Sequence, residues 1–190
     1  MTKRTIESIQ RTLQADGYYN GKIDGDFGRQ SQVALDAAKA AAKNPVPLSQ
    51  TKSQFKLSQT SLDRLKGVNE RLVMVVHRAL ELSGVEFMVV EGLRTKQRQQ
   101  QLYAQGRTSK GPIVTWTLNS KHIDGLAVDL APVVNGNIDW NDSKKFDAIA
   151  KAMFMAAAEA KVLLRWGADW NQNGRPREKG EGDSPHFELV

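Results

Sequence analysis

A polar stretch bearing two prolines, NPVPLSQTKSQFK at residues 44–56, divides this chain of 190 residues into two parts that must each bury apolar surface on their own. Proline has no backbone N–H and biases the residue before it toward extended backbone, so neither a helix nor an inner strand runs through such a stretch. It reads as a linker. The boundaries that follow are a small module over residues 1–44, a linker over 45–56 and a larger domain over 57–190.

In the small module, Ile6, Ile9 and Leu13 recur at helical spacing over residues 5–16 until Gly17 interrupts them. GYYNGKIDGDFG at 17–28 is dense in Gly, Asn and Asp, which is loop chemistry. An Ala-rich helix is expected over 29–43, with Val33 and Leu35 turned inward. In the larger domain, Leu72, Val73, Val75, Val76, Ala79, Leu80 and Leu82 predict a long apolar helix over 69–83, closed by Gly84. VEFMVV at 85–90 and LAVDL at 126–130 read as buried strands, and 162–165 and 186–189 as short ones. Residues 95–105 look helical and polar. A further helix over 143–160 turns Phe146, Ile149, Met153 and Ala157 inward. Helices and strands mix without a βαβ rhythm, so the expected class is α+β.

Composition narrows the chemistry. The chain has no cysteine, which excludes disulfides and thiolate metal sites, and any metal must be held by His, Asp or Glu. Only His77, His122 and His186 are on offer. The formal charge of +6 draws a protein toward polyanions without choosing among nucleic acid, anionic lipid and wall polymer. No Lys/Arg-rich block stands out, and no stretch approaches the ~18 apolar residues of a membrane span. The N-terminus lacks the apolar core of a secretory signal, so synthesis in the cytoplasm is expected.

Within SKHIDGLAVDL at 120–130, His122 precedes a turn containing Gly125, and Asp129 lies on the strand that follows. An inward Asp on an apolar strand has to be satisfied, since burying it bare costs several kcal/mol. A metal ion and a buried Arg partner are equally open solutions. At the C-terminus, GDSPHFELV places His186 at the start of a short strand, three residues after Asp183. Alone, that reads as a capping Asp and a half-buried His. Together, His122, Asp129 and His186 supply two imidazoles and a carboxylate, the ligand set of a catalytic zinc with a fourth position open to water. Asp183 is then a spare carboxylate of the right type for a general base. His77 lies on the apolar helix, fits no motif, and reads as a core or boundary histidine.

The pattern S-x-H-x6-D followed by a distal D-x-P-H-F-E resembles the VanY-like and D-Ala-D-Ala peptidase family, which shares its fold with the Hedgehog N-terminal domain. The nearer similarity is to the L-alanyl-D-glutamate endopeptidases of phage endolysins and of some bacterial wall hydrolases. SQTSLDRLKGVNERLVMVV, VEFMVVEGLRTKQRQQ, LNSKHIDGLAVDLAPVVNGNIDW and HFEL carry it, in order, over most of residues 58–190. The resemblance implies zinc on His122, Asp129 and His186, with Asp183 as acid/base. It implies Arg94, in EGLRT, as a cation near the scissile carbonyl or a substrate carboxylate, and Ser120 as a substrate or supporting hydrogen bonder. The implied reaction is cleavage of L-Ala-D-Glu in wall stem peptides, with a D-Ala-D-Ala carboxypeptidase or a non-catalytic wall-binding protein as rivals. The implied partner is peptidoglycan, met by a monomer, with no nucleic acid. A chain without a leader would reach the wall after release by a separate pore-forming protein.

IQRTLQADGYYNGKIDGDFGRQSQVAL resembles a second family, the peptidoglycan-binding module with the pattern Q-x2-L-x3-G-[YF]-x2-G-x-[IV]-D-G-x-[FY]-G. Gln10, Leu13, Gly17, Tyr18, Gly21, Ile23, Asp24, Gly25, Phe27 and Gly28 match it. The end departs from the pattern, with DAAKAAAKNP in place of its third segment. Finally, DWNQNG at 169–174 has the opening of an EF-hand-type loop, with Asp169, Asn171 and Asn173 as calcium ligands and Gly174 at the sharp turn. Gly180 stands where the twelfth-position Glu belongs. Glu178, Glu181 or Asp183 would have to complete the site; a plain Asn/Gly turn is the competing reading.

Overall fold

The computed structural model describes residues 2–15, 17–43 and 53–190, so residue 44 and the linker reading over 45–52 lie outside the described residues. In chain order the elements are α1 (Lys3–Ala15), α2 (Arg29–Lys43), α3 (Gln59–Arg64), α4 (Glu70–Leu82), β1 (Phe87–Glu91), α5 (Lys96–Ala104), a 3-10 turn (Lys121–Asp124), β2 (Ala127–Val134), β3 (Asn137–Ile138), α6 (Ser143–Ala160), β4 (Leu164–Trp166) and β5 (His186–Leu189). Helix and sheet are mixed as the sequence predicts.

The sheet runs β1-β2-β5-β4 with every pairing antiparallel, and β3 folds back on β2. Alternation along the strands divides its faces. Val128, Leu130, Phe187, Leu164 and Trp166 join α4 and α6 in one core, where Leu72, Val75, Val76, Ile149 and Met153 are fully buried. On the other face, Glu91, Asp129 and His186 fall in one cross-strand row, because Glu91 pairs with Asp129 and Asp129 with His186. The apolar layer therefore fixes, from behind, the spacing of three polar side chains in front.

Helix ends follow local chemistry. Asn69 caps α4 by accepting from Arg71 N–H at 3.0 Å, and Asp142 caps α6 by accepting from Lys144 N–H at 3.0 Å. The exit of α4 differs from expectation. Ser83, in extended conformation, ends the helix, its Oγ accepting from Val85 N–H at 3.1 Å, and Gly84 is not left-handed. The tail of the polar stretch, 53–56, is packed together with Leu57 after it: Ser53 N–H donates to Glu81 O at 2.8 Å, and Phe55 and Leu57 lie against the main core.

In the small module, Leu13, Tyr19 and Ala34 form a satellite core. Its centre is polar. Gln10 is fully buried; its Oε1 accepts from the N–H groups of Asp24 (3.2 Å) and Gly25 (3.0 Å), and its Nε2 lies within 2.8–3.2 Å of Asp24 Oδ1, Asp26 O, Tyr19 Oη and Ser31 Oγ. One side chain thus satisfies the backbone of the glycine loop, which has no strand to pair with. This network overturns one expectation. α2 must turn Ser31 toward Gln10, so the inward stripe passes through Ala34, and Val33 points outward at 53% exposure. Tyr19 is buried, its hydroxyl donating to Lys22 O at 2.7 Å, while Tyr18 is exposed.

Candidate metal centre

His122 is delivered by the 3-10 turn ahead of β2. Ser120 caps that turn, its Oγ accepting from His122 N–H at 3.3 Å, so the structure gives Ser120 a local capping job. Gly125 ends the turn at φ +67, and a Cβ there would lie 2.4 Å from Gly67 O; only glycine both turns the chain and lets it pass. His122 is 1% exposed, and its Nδ1–H donates to Gly92 O at 2.7 Å. That hydrogen bond fixes the tautomer, leaving Nε2 bare and facing inward.

Nε2 of His122, Oδ1 of Asp129 and Nδ1 of His186 form a triangle with all three edges 3.2 Å. An ion held at ~2.0 Å by each ligand of a tetrahedral site needs edges of about 3.3 Å. The donor set, the spacing and the bare inward nitrogen fit such an ion, and among the described residues this is the group of three or more His, Asp and Glu side chains close enough to hold one. Burial works to raise the carboxyl of Asp129, but the close approach of the His122 and His186 imidazoles outweighs it and holds it well below the carboxylate range. For His186, burial works against the charged form, and the hydrogen bonds to Asp129 and Glu188 overcome it, so its pKa is pushed up to about 9. An incoming cation must therefore displace a proton from this nitrogen.

The two carboxylate oxygens of Asp129 face different groups. Oδ1 faces the imidazoles, and Oδ2 lies 3.5 Å from Nη2 of Arg94. Arg94 is nearly buried and tightly held. Its Nε donates to Glu91 at 2.8 Å, Nη2 reaches the other Glu91 oxygen, and Nη1 donates to Gln99 Oε1 at 2.7 Å. Gln99, itself fully buried, is anchored to Thr117 O at 2.7 Å. Neither Glu91 nor Gln99 stood out in the sequence; each lies on a different element from Asp129 and joins it only through the folded sheet.

Asp183 stands at the rim, exposed on one side, and no hydrogen bond among the described residues engages its carboxylate. Desolvation by the protein at its back raises its pKa, the nearby charge of His186 opposes this, and Asp129 adds to it. Its backbone is fixed at Gly167, where a Cβ would lie 2.4 Å from Asp183 O, and its carbonyl accepts from His186 N–H at 3.1 Å. The tilted ring of Trp170 lies 5.3 Å from that of His186. His77 is exposed on α4, so it is not a core residue.

Asp169, Asn171 and Asn173 sit in a separate loop. Asp169 accepts from the N–H groups of Asn173 and Gly174, both at 2.9 Å, and Glu178 Oε2 accepts from Asn173 Nδ2 at 2.7 Å. Glu181 reaches back to accept from Asn171 N–H at 3.0 Å; it is 5% exposed, and its second oxygen is buried without a hydrogen bond among the described residues.

A family model described as phage L-alanyl-D-glutamate peptidase matches residues 53–190. The L-alanyl-D-glutamate peptidase of Escherichia phage T5 is 42% identical over 140 residues, covering 72% of this chain and 98% of that protein. The peptidoglycan L-alanyl-D-glutamate endopeptidase CwlK of Bacillus subtilis is 36% identical over 112 residues, 56% of this chain and 62% of that protein. Among solved structures, the L-Ala D-Glu endopeptidase ChiX of Serratia marcescens is 33% identical with a TM-score of 0.58, covering 72% of this chain and 92% of that one.

Proposed function

The chain belongs to the phage L-alanyl-D-glutamate peptidase family, and from that premise we propose that it is an endolysin-like peptidoglycan hydrolase cutting the L-Ala-D-Glu bond of wall stem peptides at a zinc ion on His122, Asp129 and His186. The observation that carries the reading is the 3.2 Å triangle of two imidazole nitrogens and a carboxylate oxygen beside an unengaged carboxylate. When bound, zinc supplies Lewis-acid polarisation of a carbonyl and acidifies water to a pKa of ~7. Asp183 takes the proton of the attacking water and returns it to the amine of the departing D-Glu. Its raised pKa suits both halves of that exchange. Arg94 orients Asp129 and keeps one N–H on Nη1 for a substrate oxygen, where its charge steadies the developing oxyanion. Two synthetic peptides decide the bond. One containing L-Ala-γ-D-Glu is cut and one ending in D-Ala-D-Ala is not; the reverse result makes the protein a carboxypeptidase.

Residues 1–44 serve in this reading as a wall anchor. Deleting residues 1–44 leaves a folded domain that cuts soluble stem peptides at the parental rate but pellets less with insoluble wall, because the main core and the metal triad lie beyond residue 52. Equal pelleting by the two proteins removes the anchor role.

The 169–174 loop is the second cation site of this reading, with calcium as occupant. Its support is the orphaned oxygen of Glu181, one position past the place where an EF-hand carries its Glu. Calcium at about millimolar concentration raises the melting temperature of the zinc-loaded protein by mass action, and Asp169→Ala abolishes the rise. A parent whose melting temperature ignores calcium has only a turn there.

A further inference from the structure

The row of polar side chains on the open face of the sheet does not end at His186. Glu188 follows two residues later on β5, hence on the same face, and Arg165 is its cross-strand partner on β4. Nε2 of His186 lies 3.0 Å from Oε2 of Glu188, and the other oxygen, Oε1, accepts from Arg165 Nε at 2.9 Å. Glu188 is 4% exposed, so its carboxylate is taken out of water and answered by two partners. The outer wall is Trp170, whose ring packs on His186 and carries the Arg165 guanidinium at 5.1 Å.

We propose that Glu188, held by Arg165, is a positioning residue that fixes the ring and tautomer of His186, keeping the proton on Nε2 so that Nδ1 presents its lone pair to the metal. The argument is geometric. A neutral imidazole carries one N–H, and an ion can take only the nitrogen without it. Glu188 offers an acceptor with no proton to give, so Nε2 must donate and Nδ1 is left free. Gly92 O imposes the complementary choice on His122, whose Nδ1 donates and whose Nε2 is free. The two ligands thus use opposite ring nitrogens because their outer partners differ. A carboxylate behind an imidazole also raises its basicity as a ligand. Arg165 holds the other carboxylate oxygen, so Glu188 stays turned toward His186.

This rests on the reading of His122, Asp129 and His186 as a metal centre, and the experiment separates the two. Zinc affinity is measured by chelator competition for the parent, Glu188→Ala, Glu188→Gln and Arg165→Met, with the melting temperature of each metal-free protein and the His186 Nε2–H signal of each zinc-loaded one. Glu188→Ala is expected to bind zinc 10–100-fold more weakly and to lose the protected Nε2–H signal. Glu188→Gln, which keeps the acceptor and drops the charge, falls between it and the parent, and Arg165→Met shows a smaller loss in the same direction. If Glu188→Ala does not fold, the Gln and Met variants carry the test. Affinity within twofold of the parent and an unchanged Nε2–H signal in the folded variants overturn the positioning role and leave the metal centre standing. A parent that takes up no zinc overturns both.

Discussion

Alanine in place of His122 or His186 is expected to empty the metal site and reduce cleavage to background, while His77→Ala does neither. Each of the first two contributes one corner of the 3.2 Å triangle, and two donors are too few for a tetrahedral protein site that also keeps a position for water. The effects on the fold differ in kind. His122→Ala leaves Gly92 O without its donor and opens a cavity at a fully buried position. His186→Ala leaves Glu188 paired to Arg165 alone. His77 lies exposed on α4, outside both. Atomic absorption on the purified variants, beside a cleavage assay on wall, gives about one zinc per chain for the parent and His77→Ala, and near none for the other two. Zinc loss in His77→Ala, or full activity without His186, contradicts the ligand assignment.

Asp183→Asn should keep zinc and fold and lose about 10²–10⁴-fold in kcat, the range expected when a positioned general base is removed. The substitution changes little but proton affinity. The carboxylate has no hydrogen bond among the described residues to lose, and the backbone ties that place it, to Gly167 and His186, do not involve its side chain. KM should move far less than kcat, since proton transfer belongs to the transition state. Near-parental kcat in the zinc-loaded variant removes Asp183 from the mechanism and leaves the rim without a base.

Much of this was legible in the sequence because the choices were few. With three histidines and no cysteine the search was short, His122 and His186 were the two that lay in motifs, and Asp129 was the polar residue on an apolar strand. The long helices α4 and α6 announced themselves by periodicity. What stayed hidden were side chains whose meaning depends on distant partners. Gln10 matches the binding-module pattern in sequence, but its buried role shows only when the glycine loop closes over it. Val33 reads as inward because apolar spacing ignores the claim Gln10 makes on Ser31. Glu188 follows His186 by two residues in a strand, a signal that could have been used; its partner Arg165 is 23 residues away. The two readings of Asp129, metal or arginine, could not be ranked from sequence because a carboxylate has two oxygens, and the fold turns one to the imidazoles and the other to Arg94.

The most direct test of the account is mass spectrometry of purified peptidoglycan digested by the native protein, by the chelator-treated protein, and by that protein reloaded with zinc. The account predicts fragments with a new N-terminal D-Glu and a matching C-terminal L-Ala, absent after chelation and restored by zinc. Cleavage at any other bond, or the same fragments from the chelated protein, contradicts it.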